Sequence, residues 1–249
     1  MYDGNSLFTL ISTVVITACA AAMIAAMGYI LSASRGGRAR AALAMGAWFL
    51  IVVVVGAKGG LAPQSGAGVI GLGIATLTPL AVLCFVLTRH GPARAPLFRV
   101  PLALPIAVNV LRTLGVLFLF LYAKGELPAP FAPSAGWGDV FVGLTAAPVA
   151  WAASRYGSRA TAWIVAWNLI GFLDLVAAIG LGATSSPGPV RIFLNAPDSS
   201  IMTMLPWIII PCFLVPIFEA LHVALFFRLF QDRAVLRAAP SSGAFVKQN

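Results

Sequence analysis

Four residues able to carry charge interrupt long apolar runs of this sequence: Arg112, Asp174, Glu219 and His222. A charge at the centre of a bilayer costs about 2.5–3.5 kcal/mol on insertion scales, so such residues turn inward, pair, and mark ion or proton paths. A guanidinium and two carboxylates supply fixed charge. An unperturbed imidazole changes charge near neutrality. Asn109 and Asn168 add two amides to the same runs. Together these six residues form a candidate polar site that could hold a small solute or relay a proton. The alternative is an ion pair that only fixes helix packing.

Spacing brings some of them together. Asn109 and Arg112 are three residues apart, as are Glu219 and His222, so each pair shares a helix face. At about 1.5 Å per residue, Arg112 and Glu219 lie about 15 Å from the basic ends of their runs. Asn109, Asn168 and His222 form a layer about 10 Å in, and Asp174 lies near 20 Å. The depths predict that Glu219 or Asp174 holds Arg112, and that Glu219 and His222 form a proton-sensitive pair. Asp139, following Gly138, is expected to cap a helix N-terminus or to serve an outer site. Pro206, Pro211 and Pro216 fall in the run that carries Glu219 and His222. Interior prolines kink a helix and free carbonyls that must find partners in a membrane, and broken helices line many transporter sites.

The elements that must position these residues are apolar helices. The chain has 249 residues, 60% hydrophobic and only 9% charged, with mean hydropathy +0.97. A soluble domain carries roughly 25% charged residues, so most of this surface must face lipid. Seven runs reach spanning length or approach it: 7–31, 41–58, 69–88, 102–124, 139–154, 161–183 and 205–229. The fifth is short, with room to extend outward into 126–138. The fold class is therefore an all-α polytopic transmembrane bundle. It forms one domain over 1–230, with a basic cytoplasmic tail over 231–249. The first run follows an acidic start and is far longer than a signal-peptide core, so it is expected to stay as a span.

Arginines fix the orientation. They cluster after the first run (Arg35, Arg38, Arg40), the third (Arg89, Arg94, Arg99) and the fifth (Arg155, Arg159). The tail carries Arg228, Arg233, Arg237 and Lys247. The intervening loops hold Lys58, Lys124 and Arg191 against Glu126 and Asp198. The positive-inside rule then gives seven spans, N-terminus out and C-terminus in. The net charge of +9 points to anionic lipid headgroups at the cytoplasmic face and away from nucleic acid. Ser185 to Met204, with the apolar stretch 190–194, reads as a surface loop or a lid over an outer vestibule.

Several chemistries are disfavoured. Gly66-Ala67-Gly68-Val69-Ile70-Gly71 matches a dinucleotide fingerprint but opens an apolar helix, and no acid follows about 20 residues later. The last run has no Schiff-base lysine. One intramembrane histidine, His222, cannot ligate a haem from both sides, since His90 lies in a basic loop. Cys19, Cys84 and Cys212 are dispersed in apolar runs and form no redox or zinc pattern. No catalytic, cofactor-binding or metal-binding residues are expected.

The stretch 111–146, LRTLGVLFLFLYAKGELPAPFAPSAGWGDVFVGLTA, resembles a segment of bacterial polytopic membrane proteins of about seven helices that carry no assigned function. Trp167-Asn168 and Gly171-x-x-Asp174 are similar in the same way. The resemblance implies a bacterial inner membrane and no particular activity. The sequence favours movement of a proton or small solute through a polar site between the fourth, sixth and seventh runs. A membrane subunit or assembly factor, and an intramembrane enzyme, are the alternatives.

Overall fold

The computed structural model describes residues 6–64, 66–88 and 98–238. These residues form helices and turns, with no strand among them. Arg89, His90, Arg94 and Lys247 lie outside the described residues.

Each helix starts and stops for a local reason. α1 (Leu7–Leu31) begins at Ser6, whose hydroxyl accepts from the Thr9 N–H at 3.2 Å. α2 (Arg35–Ala57) begins at Ser34, which accepts from Gly37 N–H at 3.1 Å. These are N-caps that satisfy otherwise orphaned donors. α3 spans Gly68–Thr88. α4 (Ala103–Ala123) is continuous in sequence but not in geometry: its middle, Val108–Gly115, is a 3-10 helix. It stops at Gly125, whose φ of 69° suits a residue without Cβ. α5 (Phe131–Tyr156) and α6 (Thr161–Ser185) are joined by a single 3-10 turn, Gly157–Ala160. α7 opens as a π-helical turn, Ile210–Leu214, and continues as the α-helix Val215–Ala238.

Three expected boundaries move. α2 starts at Arg35 rather than 41, because the Ser34 cap and small residues carry the helix into the basic segment. α5 starts at Phe131 rather than 139, using the Pro-rich segment as its first two turns. α7 starts at Ile210 rather than 205 and runs to Ala238, past the expected start of a tail at 231.

Among the described residues, five segments are long and apolar enough to cross a membrane, with Phe131–Ser185 counted as one. Large apolar side chains such as Leu43, Leu50, Ile70, Leu144 and Trp163 are exposed on their outer faces. A water-facing surface would not carry such a belt; these are the helices of a membrane protein. α7 is the most enclosed helix, with Phe213, Phe218, Leu221 and Leu225 all buried. α2 is peripheral, and Val52 is the residue it buries among those described. α4 packs most closely against α5, and α5 in turn against α6.

The arginine-bearing segments gather at one end. Arg228 Nη1 donates to Val100 O at 2.5 Å, and Arg38 and Arg99 line one cleft with Tyr29. Ala153 and Ala160, flanking the α5–α6 turn, share an apolar cluster with Leu229 at that end. At the other end Lys124 pairs with Glu126 at 3.1 Å and its ammonium lies 4.7 Å from the Phe8 ring centre.

Candidate functional site

Arg112 lies in the 3-10 segment of α4 and is 1% exposed. With three residues per turn, positions i and i+3 eclipse, so Asn109, Arg112 and Gly115 form one straight column. Gly115 leaves the space above the guanidinium open. A Cβ there would collide with the Asp139 side chain, and it would lie 3.1 Å from Gly136 O. The same holds across the neighbouring helices. A Cβ on Gly143 would lie 2.5 Å from Thr113 N, and one on Gly171 2.5 Å from His222 Cε1. A Cβ on Gly138 would occupy the place of the Asp174 carboxylate. Small residues thus let α4 and α5 approach backbone to backbone and, at Gly138 and Gly171, leave room for the Asp174, His222 and Arg112 side chains.

The guanidinium uses four of its five donors. Nε donates to Asp139 Oδ1 at 2.6 Å, and Nη2 donates to Asp174 Oδ2. Nη1 donates to Gly171 O at 2.9 Å and meets His222 Nε2 at 3.1 Å. The Phe218 ring lies 6.0 Å below. Four helices therefore converge on one side chain: α4 carries it, α5 and α6 supply a carboxylate each, and α7 supplies the imidazole.

His222 is held in one state by its partners. Arginine only donates, so Nε2 must be an acceptor and carry no proton. Nδ1 then holds the ring hydrogen and donates to Asn168 Oδ1 at 2.7 Å. Asn168 returns the contact, its Nδ2 donating to His222 O at 2.9 Å. That carbonyl can only accept, which fixes the amide orientation independently. The neutral Nδ1–H imidazole satisfies every contact, and an imidazolium would turn a donor against the guanidinium.

The expected residues therefore sort differently from their spacing. The structure brings Arg112, Asn168, Asp174 and His222 together. Of the two alternatives for the carboxylate that holds Arg112, the structure selects Asp174 over Glu219, and Asp139 joins it as a second. The cap reading of Asp139 fails because α5 begins two turns earlier, placing this residue inside the helix and against α4. The Glu219–His222 pair also fails. Both side chains are buried, but His222 turns to α4 and α6, while Glu219 Oε2 has no hydrogen-bond partner. Asn109 lies one turn from Arg112 without reaching the cluster. Its Nδ2 donates to Pro105 O at 3.0 Å, and its Oδ1 is unpartnered.

The glycines were the missed component, and a signal for them exists. α5 reads Gly136-Trp137-Gly138-Asp139 and α6 reads Gly171-Phe172-Leu173-Asp174. Both are Gly-x-x-Asp, a small residue and a carboxylate on one helix face. Gly136 clears room for α4 and Gly171 for the His222 and Arg112 side chains, and each helix then offers Arg112 an anion.

The proline-rich helix resolves its freed carbonyl inside the protein. Val215 N–H goes to Ile210 O in the π-turn, and Pro216 has no N–H. Pro211 O is left without a helical partner, and Thr76 of α3 donates its hydroxyl at 2.9 Å.

Two neighbouring spaces adjoin the cluster. The deeper one touches Arg112, Asp139, Phe118, Ile210, Val215 and Phe218. The outer one, a cavity of about 70 Å³, shares Phe118, Asp139, Ile210 and Val215 with it. It rises between α3 and α6 to Phe131, Ser199 and Met202. Ser199 is tied to α6 through its hydroxyl, which donates to Gly182 O at 2.8 Å. In the 185–204 loop, the apolar Ile192 and Leu194 are exposed and do not line this cavity.

Among the described residues, no three His, Cys, Asp or Glu side chains are placed to hold a metal ion. No curated protein and no solved structure matches the chain. Residues 69–230 match a family described as "Domain of unknown function (DUF8737)". The match covers more than half of the chain and contains every residue of the cluster; the protein belongs to this family.

Proposed function

We propose that this protein spans a bacterial inner membrane seven times, N-terminus out, as one domain, and moves a proton or small solute through the Arg112 cluster. The observation that carries the reading is a charge imbalance beside a cavity. One guanidinium faces two carboxylates, Asp139 and Asp174, and among the described residues no second cation joins them, because His222 is neutral by its bonding. Buried charge of one sign is expensive, so the cluster favours taking up a proton or a cation. Asp139 borders the cavity through which either would come. The basic end of the bundle, with Arg38, Arg99 and Arg228, supports a cytoplasmic face against anionic headgroups.

Liposomes holding the purified protein and a trapped pH dye test this. A potassium diffusion potential should drive proton entry above that of empty liposomes. Asp139→Asn should reduce the rate at least about tenfold, as loss of a positioned proton carrier does. A membrane subunit with a purely structural cluster is the second reading, favoured by the saturation of Arg112, which uses four of five donors. It predicts no flux above empty liposomes and an Asp139→Asn effect on stability alone. Topology is tested by single cysteines in a background lacking the three native ones: residue 195 should label from outside and residue 38 should not.

A further inference from the structure

The cavity above Asp139 has the chemistry of an ammonium site. Its wall is apolar: Val69, Leu72, Leu175, Ala178, Ile179 and Met202 contribute aliphatic surface. Phe118 and Phe131 both line it, their rings tilted at 45° with centroids 5.8 Å apart. Aromatic faces attract cations, more strongly once water is excluded. The charged member is Asp139, buried at 8% exposure. Its Oδ1 is taken by Arg112, while Oδ2 has no protein partner among the described residues. Asp139 lines the cavity, and a carboxylate oxygen without a protein donor favours a ligand that brings one. Two aromatic rings and one free anionic oxygen are the elements by which proteins recognise alkylammonium groups.

Size narrows the class. A single water needs roughly 10–15 Å³ of such space, and this cavity has about 70 Å³. It fits a compact molecule of about five heavy atoms by the same measure. Anions are disfavoured, because the Arg112 donors are consumed and the open group is itself an anion. A metal ion is disfavoured too, because the remaining wall offers it aliphatic carbon. Access is lateral or from the outer end: α3 packs on α7, and α6 on α5 and α7, with the cavity between the two.

We infer that the space bounded by Asp139, Phe118 and Phe131 binds a small alkylammonium ion, its N–H donating to Asp139 Oδ2 and its methyl groups against the two rings. This rests on the transport reading and names its substrate class: the cation that corrects the charge imbalance is an organic one.

Trimethylammonium is the probe, and tert-butanol, of similar size and uncharged, is the control. Binding to the purified full-length protein is followed by calorimetry and by protection against thermal unfolding. Trimethylammonium should bind at least about tenfold more tightly than tert-butanol, as a desolvated charge pair allows. Asp139→Asn should remove that preference. Because this variant disturbs Arg112, a second one leaves the cluster intact: Ala178→Leu fills the cavity from α6 and should abolish binding without lowering the melting temperature. Phe131→Leu should weaken trimethylammonium about three- to tenfold, the usual worth of one cation–π contact, and tert-butanol hardly at all. Equal binding of the two probes, or trimethylammonium binding unaffected by Ala178→Leu, overturns the inference. Proton flux in liposomes alongside no trimethylammonium binding would overturn the ammonium site and leave the transport reading standing. Binding without flux would do the reverse.

Discussion

Replacing Arg112 by leucine tests the organisation of the whole bundle. The substitution removes four hydrogen bonds at once and strands two carboxylates, the Gly171 carbonyl and His222 Nε2. Deleting one partner of a buried ion pair costs about 3–5 kcal/mol, because the remaining charge is left unpaired. That is about two to three and a half decades in the folding equilibrium. Asp139 and Asp174 lie on different helices, so the repulsion between them should push α5 from α6. Unfolding in mixed micelles, read by tryptophan fluorescence, measures the loss. The compensating changes make the test specific. Arg112→Leu combined with Asp139→Asn and Asp174→Asn should recover at least about 1.5 kcal/mol, since both stranded charges are gone. Arg112→Leu with Glu219→Gln should recover clearly less, because Glu219 makes no hydrogen bond to Arg112. If the Asp triple variant is no more stable than Arg112→Leu, or if the Glu219 double variant recovers as much, the assignment of partners is wrong.

Gly138→Ala should destabilise by about 1–3 kcal/mol despite the roughly 1 kcal/mol helix-propensity gain of alanine, because the new methyl displaces the Asp174 carboxylate. Gly180→Ala, on open space, is the matched control and should be neutral or stabilising in the same thermal scan. Thr76→Val should cost about 1–3 kcal/mol by orphaning the Pro211 carbonyl; an unchanged midpoint would mean that the carbonyl finds another donor. Nitrogen NMR of labelled His222 at pH 7 should show a single neutral Nδ1–H tautomer. A charged ring or an Nε2–H form would contradict the Arg112 contact.

The helices were legible because apolar runs of spanning length admit few other structures. Their ends were less so: the α5 start was hidden by prolines at 128, 130 and 133, which read as a loop but sit comfortably in or before a first helical turn. The polar residues were legible as a set and not as a network. Sequence depth placed Arg112 level with Glu219, assuming a uniform rise of 1.5 Å. The 3-10 segment of α4 and the π-turn of α7 break that assumption on both helices. Rotation about the helix axis, which decides that His222 rather than Glu219 faces Arg112, depends on the same irregularities. Asp139 was misread because the start of α5 was inferred two turns too late. The glycines carried no charge to draw attention, yet they determine which backbones can approach.

The tight winding of α4 also changes its reach. A 3-10 helix rises about 2.0 Å per residue against 1.5 Å for an α-helix. Eight residues wound this way lengthen α4 by about 4 Å. The helix has 21 residues where α5 has 26 and α6 has 25, yet the drawn-out coil nearly matches their span. Stretched, it is also slimmer at the height where Gly115 and Gly136 touch. A shorter stretch of sequence thereby bridges the same thickness of lipid, and does so at its narrowest where its neighbours press hardest.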